Sequence, residues 1–149
     1  MLSEMIQTEF LENYFPPYLW NNTAQRKYIL KEYIQLLILD YLSTTQYIKK
    51  IVFIGGTNLR LTKGIDRFSE DLDFDCKRLS DENFIKMTDD IIKFLQRFGF
   101  RTETRDNPND KLKAFRRNIF FPELLFELSL SGYRQERFLI KIESQDQQI

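Results

Sequence analysis

Apolar residues along this chain recur first at helical spacing and then, from Ile51 onward, mostly in alternation with polar ones. Ser3 is a suitable N-cap, and Met5, Ile6, Phe10, Leu11 and Tyr14 follow at helical spacing until Pro16-Pro17, which cannot donate to a helix ladder. Asn22-Thr23 can cap a second, longer helix. There Tyr28, Ile29, Tyr33, Leu36, Leu37, Asp40 and Tyr41 form a mostly apolar stripe. Ile51-Val52-Phe53-Ile54 is short and β-branched, which predicts a buried strand running into Gly55-Gly56-Thr57. Thr57 to Leu61 reads as the first turns of a helix, Gly64 interrupts it, and Asp66 to Ser69 reads as loop. Asp71-Leu72-Asp73-Phe74-Asp75 then alternates strictly.

The second half continues the pattern. Ser80-Asp81-Glu82-Asn83 starts a helix with acids in its first turn, where the helix dipole favours them. Phe84, Ile85, Met87, Ile91, Ile92, Phe94 and Leu95 supply its apolar face, and Gly99 its stop. Phe100 to Asp106 and Lys111 to Phe121 alternate about an Asn107-Pro108-Asn109-Asp110 turn. That predicts a hairpin with a basic exposed face made by Arg101, Arg105, Lys111, Lys113, Arg116 and Arg117. Pro122 to Leu130 is ambiguous between helix and strand, 132–137 is loop, and Phe138 to Glu143 is a last strand before a polar tail. The expected fold class is α/β (α+β), a mixed β-sheet flanked by helices. It is organised as a single domain over 1–149, with a helical scaffold at 1–46 and a sheet core at 51–143.

Composition narrows the chemistry. With 22 Lys plus Arg against 22 Asp plus Glu, no overall basic field attracts nucleic acid. The absence of His removes imidazole catalysis and His-ligated metals, and the single Cys76 removes internal disulfides and cysteine clusters. An acidic N-terminus without an apolar run does not read as a signal peptide, and stretches such as Leu36 to Leu39 are too short to span a bilayer. A cytoplasmic protein without membrane contact is expected.

What remains is carboxylate chemistry. On a strand, Asp71, Asp73 and Asp75 share one face while Leu72 and Phe74 enter the core. An edge strand's wet face is the plainer setting for such acids, but three in a row without alternating cations is unusual. A divalent cation suits them, since hard carboxylate oxygens bind Mg²⁺ well. Glu143, near the end of another apolar strand, offers a third carboxylate, with Lys141 on the same face. Fourteen residues separate Gly56 from Asp71. Strand, Gly-Gly, helix is a geometry whose backbone N–H groups can cradle a phosphate. The pair lacks the Lys-Ser/Thr of a Walker A loop and the third glycine of a dinucleotide fingerprint, and most such pairs only make a turn.

Gly55-Gly56-Thr57, the Leu59-Arg60 that follows, and Asp66-Arg67-Phe68-Ser69-Glu70-Asp71-Leu72-Asp73-Phe74-Asp75 together resemble the AbiEii/AbiGii toxin family of nucleotidyltransferases, within the DNA polymerase β-like nucleotidyltransferase superfamily. The likeness is strong over Phe53 to Asp75 and weaker over Phe138 to Glu143. It implies a polymerase β-like nucleotidyltransferase fold. It also implies transfer of a nucleotidyl group from an NTP to an acceptor hydroxyl with two Mg²⁺ (or Mn²⁺), often within a bacterial type IV toxin–antitoxin or abortive-infection system. Asp71, Asp73 and Glu143 would be the catalytic, metal-holding acids. Gly55, Gly56, Thr57, Arg60, Arg67, Ser69 and Lys141 would hold the nucleotide, although capping the turn or pairing with Asp66 or Glu70 serves equally well for Arg67 and Ser69. Implied partners are the NTP, a tRNA or other RNA acceptor, and a cognate antitoxin. Relatives usually carry a further helical portion beyond the third acid, whereas this sequence ends six residues after Glu143. A catalytically incomplete nucleotide- or partner-binding module of the same fold is the alternative, and a metal-dependent phosphohydrolase would use the same carboxylates.

Overall fold

A four-stranded mixed sheet organises the chain, with the strands in the order β1-β2-β4-β3. The computed structural model describes residues 26–54, 71–75, 79–104 and 116–145, with backbone alone at 52–54, 71–73, 75 and 145. The strands are β1 (Val52–Ile54), β2 (Asp71–Asp75), β3 (Arg116–Phe120) and β4 (Leu139–Gln145). The helices are α1 (Arg26–Ser43), α2 (Asp81–Phe98) and the single turn α3 (Leu124–Glu127). β1 runs antiparallel to β2, β2 parallel to β4, and β4 antiparallel to β3. This is the mixed sheet with flanking helices that the sequence predicts. The first expected helix, the Asn22-Thr23 cap and residues 55–70 lie outside the described residues.

α2 forms where its local signals say it should. The Ser80 hydroxyl accepts the Asn83 N–H at 3.2 Å, Asp81 and Glu82 occupy the first turn, and Gly99 closes the helix at φ 119°, a conformation that favours glycine. Phe84, Met87, Thr88, Ile91 and Leu95 are buried, one residue per turn or so along one side. Ile85, Ile92 and Phe94 are only half-buried at its flanks.

α1 departs from the expected stripe. Its fully buried row is Leu30, Ile34, Ile38 and Leu42, an uninterrupted i, i+4 ridge of aliphatics, joined by Ile29 and Tyr33. Asp40 is exposed, and Leu36 and Leu37 are half-buried. A stripe through Asp40 would desolvate a carboxylate, whereas the 30/34/38/42 ridge contains no polar group. Glu32 and Gln35 are also buried, so α1 is enclosed round a broad arc. The helix ends at Ser43. There the hydroxyls of Ser43, Thr44 and Thr45 each donate to a carbonyl three residues back, at 2.6–2.7 Å. Such local bonds compete with the helical ladder and hand the chain to a 3₁₀ turn at Gln46–Lys49.

Tyr47 in that turn donates its phenol to Asp90 of α2 at 2.8 Å. Burial first, and then the carboxylate, push its pKa well above the ordinary value. On the alkaline side the phenol therefore keeps its proton past the usual tyrosine pKa of about 10 and loses it, and with it this bond, only as the pH climbs through the raised one.

Both helices feed one core with the sheet. Phe74, Ile119, Ile140 and Ile142 are fully buried and cluster with the apolar rows of α1 and α2. Much of the chain's aromatic content goes there too: Tyr41 stacks on Phe94 with ring centroids 4.5 Å apart, and Phe98, Phe100, Phe121 and Phe138 make a continuous run of ring contacts.

The expected hairpin is reduced. Glu103 and Phe120 form one antiparallel bridge, with both backbone bonds at 2.9 Å, so the two segments pair, but the described residues from Phe100 to Thr104 form no strand of their own. The expected turn at 107–110, with Arg105, Lys111 and Lys113, lies outside the described residues. The exposed basic face also needs correction. Arg116 and Arg117 are consecutive on β3 and so point to opposite sides of the sheet. Arg117 is 4% exposed, with its guanidinium 3.0 Å from the Thr88 hydroxyl and 2.9 Å from the Asp89 carboxylate on α2. Arg101 is exposed but pairs with Glu123 and Glu127. The ambiguous stretch becomes α3, and β4 runs to Gln145, two residues past the expected end, because Phe74 and Asp75 continue to pair with Ser144 and Gln145. Among the described residues no helix is long and apolar enough to cross a membrane.

The Arg117 pair predicts an asymmetry. Replacing Asp89 with Ala leaves the buried guanidinium without that carboxylate and is expected to cost about 2–4 kcal/mol. Arg117→Met refills the space with apolar atoms and leaves Asp89, which is half exposed, to water, so its cost is expected to stay below about 1 kcal/mol. Urea unfolding of the two variants decides it, and equal losses would contradict the asymmetry.

Candidate active site on the acidic face of the sheet

The strand registers set the acidic face. On β4, buried Ile140 and Ile142 alternate with half-buried Leu139, Lys141 and Glu143. In the parallel pairing Asp71 lies opposite Lys141, Asp73 opposite Glu143 and Asp75 opposite Gln145. Glu143 in turn lies opposite Arg116, and Lys141 opposite Asn118. On the other side of β2, Ile54 lies opposite Asp73. Register partners share a face. One row across the sheet therefore reads Ile54, Asp73, Glu143, Arg116, and the next reads Asp71, Lys141, Asn118. The buried face directly behind them carries Phe74, Ile142 and Arg117.

Two acidic positions thus stand on adjacent parallel strands, which are about 4.8 Å apart. These are Asp73 and Glu143, whose sequence positions are far apart. Glu143 is 20% exposed, and its Oε1 lies 3.0 Å from Arg116 Nε and 3.9 Å from Lys141 Nζ. Lys141 thus lies close to Glu143 and in register with Asp71. Asp71 and Asp73 are placed by backbone register alone. Gly55, Gly56, Thr57, Arg60, Arg67 and Ser69 lie outside the described residues, although β1 ends at Ile54, so Gly55 follows directly on the residue in the Asp73–Glu143 row.

Arg116 is the residue whose place the sequence did not reveal. A strand pattern shows which side chains share a face but not which strand lies next to which. Its partnership with Glu143 follows from β3 pairing with β4. Asn118, one step along the same face, has a buried Oδ1 with no hydrogen-bond partner among the described residues.

Could these positions hold a divalent cation? The donor set is all hard oxygen, and two strands packed on a common core fix the positions of Asp71, Asp73 and Glu143, which suits Mg²⁺ or Mn²⁺. Among the described residues no group of three or more potential metal donors comes together, but the side chains of Asp71, Asp73 and Asp75 are not among those described. A separate cleft of about 540 Å³ lies at the other end of β3 and β4, around Phe120 and Phe138. Three glutamates and two arginines share its lining, so it has no positive excess to select a phosphate.

The sequence profile described as nucleotidyl transferase AbiEii toxin, type IV toxin–antitoxin system, matches residues 37–147 and so takes in all four strands. The chain belongs to this family. No curated protein and no solved structure matches the chain. Family membership agrees with the site's construction: AbiEii proteins are nucleotidyl transferase toxins of type IV toxin–antitoxin systems.

The like charges at Asp73 and Glu143 carry a testable cost. In metal-free buffer, Asp73→Asn is expected to stabilise the fold by about 0.5–1 kcal/mol, because like charges at opposed strand positions destabilise a sheet. Thermal unfolding with a chelator present measures this, and a lowered midpoint would show that the Asp73 carboxylate is held by favourable contacts instead.

Proposed function

We propose that this AbiEii-family chain transfers a nucleotidyl group from an NTP to an acceptor hydroxyl, with Mg²⁺ held by Asp71, Asp73 and Glu143. The observation that carries this reading is the register Asp73↔Glu143 between parallel strands, which brings together the acids of two distant segments on one face. In the reaction the acceptor oxygen bonds to the α-phosphorus, and the bond from that phosphorus to its bridging oxygen breaks. Pyrophosphate leaves with the electron pair, and the hydroxyl proton passes to a base beside the site. A bound pair of cations supplies charge neutralisation for the attacking and leaving oxygens.

The chain's own residues bind and orient. Asp71 and Asp73 hold the cations from β2, and Glu143, from β4, completes the acceptor side and helps take up the hydroxyl proton. Gly55, Gly56 and Thr57 offer backbone N–H groups and one hydroxyl to the triphosphate just past the end of β1. Lys141, in register with Asp71, adds a point charge next to the phosphates. Arg60 and Arg67 bring guanidinium donors that suit phosphate oxygens, and Ser69 a hydroxyl. The acceptor in this reading is a tRNA or another RNA, the setting is a cytoplasmic toxin, and a cognate antitoxin restrains it.

Calorimetric titration of each NTP with and without Mg²⁺ tests the donor half of the reaction. Binding is expected to require Mg²⁺ and to be lost, by at least about tenfold in affinity, in the Asp71→Asn/Asp73→Asn double variant while the fold persists. Mg²⁺-dependent NTP affinity that survives the double substitution would remove the metal role from these two acids.

A further inference from the structure

β3 is the strand that takes no part in the reaction proposed above, yet it presents Arg116 to the same row as Asp73 and Glu143. The charge pattern along that face is uneven. Asp71, Asp73, Asp75 and Glu143 supply four carboxylates, and Lys141 and Arg116 two cations, so two negative charges remain, the charge of one divalent ion. Arg116 spends only Nε on Glu143, at 3.0 Å. Its side chain is 49% exposed, and its two terminal nitrogens make no ion pair or hydrogen bond among the described residues. A guanidinium anchored by one nitrogen and open at the other two is able to exchange partners. Its backbone is not free to follow, because the next residue, Arg117, is tied to Thr88 and Asp89 on the buried side.

We infer that Arg116 is a positioning residue that competes with a divalent cation for the Glu143 carboxylate and, once displaced, turns its guanidinium to a phosphate of the bound nucleotide. This rests on the metal-dependent reading of the site given above. A cation taking Glu143 Oε1 would repel the neighbouring guanidinium, while the triphosphate arriving with it attracts one. Arginine suits that exchange better than lysine. Its planar fork bonds a carboxylate through Nε, keeps two terminal groups for phosphate, and remains charged throughout. Glu143 is thereby held in the site's row without the ion and released to it when the ion comes. The cost of the ion pair also makes metal and nucleotide bind better together than either does alone.

The test is titration of Mn²⁺ alone, without nucleotide, into the full chain and into Arg116→Gln, Glu143→Gln and the variant carrying both. Arg116→Gln is expected to bind Mn²⁺ about three- to fivefold tighter than the wild type, since a half-exposed ion pair no longer has to be broken. In the Glu143→Gln background the same substitution is expected to change Mn²⁺ affinity less than about 1.5-fold, because the pair is already gone. At saturating Mn²⁺, Arg116→Gln is expected to weaken binding of ATP, GTP, CTP or UTP, whichever the wild type takes up, by about tenfold, and Arg116→Lys to recover part of that loss. Arg116 is half exposed, so these variants should retain the circular dichroism spectrum and unfolding cooperativity of the parent. Unchanged or weaker Mn²⁺ affinity in Arg116→Gln, with wild-type binding intact, would overturn the competition while leaving the proposed function standing. A wild type that takes up no Mn²⁺ would overturn both, and the Asp71→Asn/Asp73→Asn variant shows which acids are at fault when only part of the binding is lost.

Discussion

The parallel pairing of β2 with β4 is the constraint on which the other features depend. It sets Asp73 beside Glu143 although 63 residues lie between the two strands. On the acidic face the like charges at Asp73 and Glu143 oppose this register, and the Asp71–Lys141 pairing offsets them only in part. The stabilisation comes from the reverse side, where Phe74, Ile140 and Ile142 are fully buried against the two long helices. Each such side chain contributes about 1.5–3 kcal/mol on burial, several times the repulsion of one partly solvated carboxylate pair. A register slip by one residue would bring the carboxylates into the core and the apolar residues into water. The same alternation that collects the acids therefore also locks them in place, and the apolar face holds the chemistry in register.

β3 shows how one strand can serve both faces. Arg116 and Arg117 are chemically identical neighbours with opposite tasks, and the two-residue period of the strand alone separates them. Arg117 spends its charge on Asp89 and Thr88 inside the structure, which fastens the sheet to α2. Arg116 spends its charge on Glu143 at the acid row. A buried guanidinium is a poor source of net stability compared with an apolar side chain of its size. Its worth here is geometric, since it fixes the height of β3 against the helix and with it the position of the arginine on the other side.

What was legible in the sequence was local. The Asp-x-Asp-x-Asp alternation, the capped and glycine-terminated α2, and the resemblance around Gly55-Gly56 all depend on residues within a turn or a few pleats of each other; the described β2 and α2 agree with the first two, and the family match with the third. Glu143 stood out in the sequence as a third acid near the end of an apolar strand, and its position is in register with Asp73. The buried side of α1 was not legible, because its sequence carries apolar residues on more than one side. The competing stripe through Asp40 lost to the wholly aliphatic 30/34/38/42 ridge. Nor was the partition of the hairpin cations. Six basic residues looked like one solvated face, yet alternation forbids consecutive arginines from sharing it, and pairing order, which decides who meets Glu143, is a property of the whole sheet.

Charge supplies the remaining step. The chain has no histidine, and the charged groups that share this face are carboxylates, a guanidinium and an ammonium. Charges gathered on one face are costly to leave unbalanced. They can only be compensated by rearrangement or by ligands that bring charge with them. In the proposed reading a divalent cation and a polyphosphate are such ligands, and each offsets the charge that the other brings to a face already holding both signs. The Asp73–Glu143–Arg116 row and the neighbouring Asp71–Lys141 row set both signs side by side on one face of the sheet, which the β2–β4–β3 register provides.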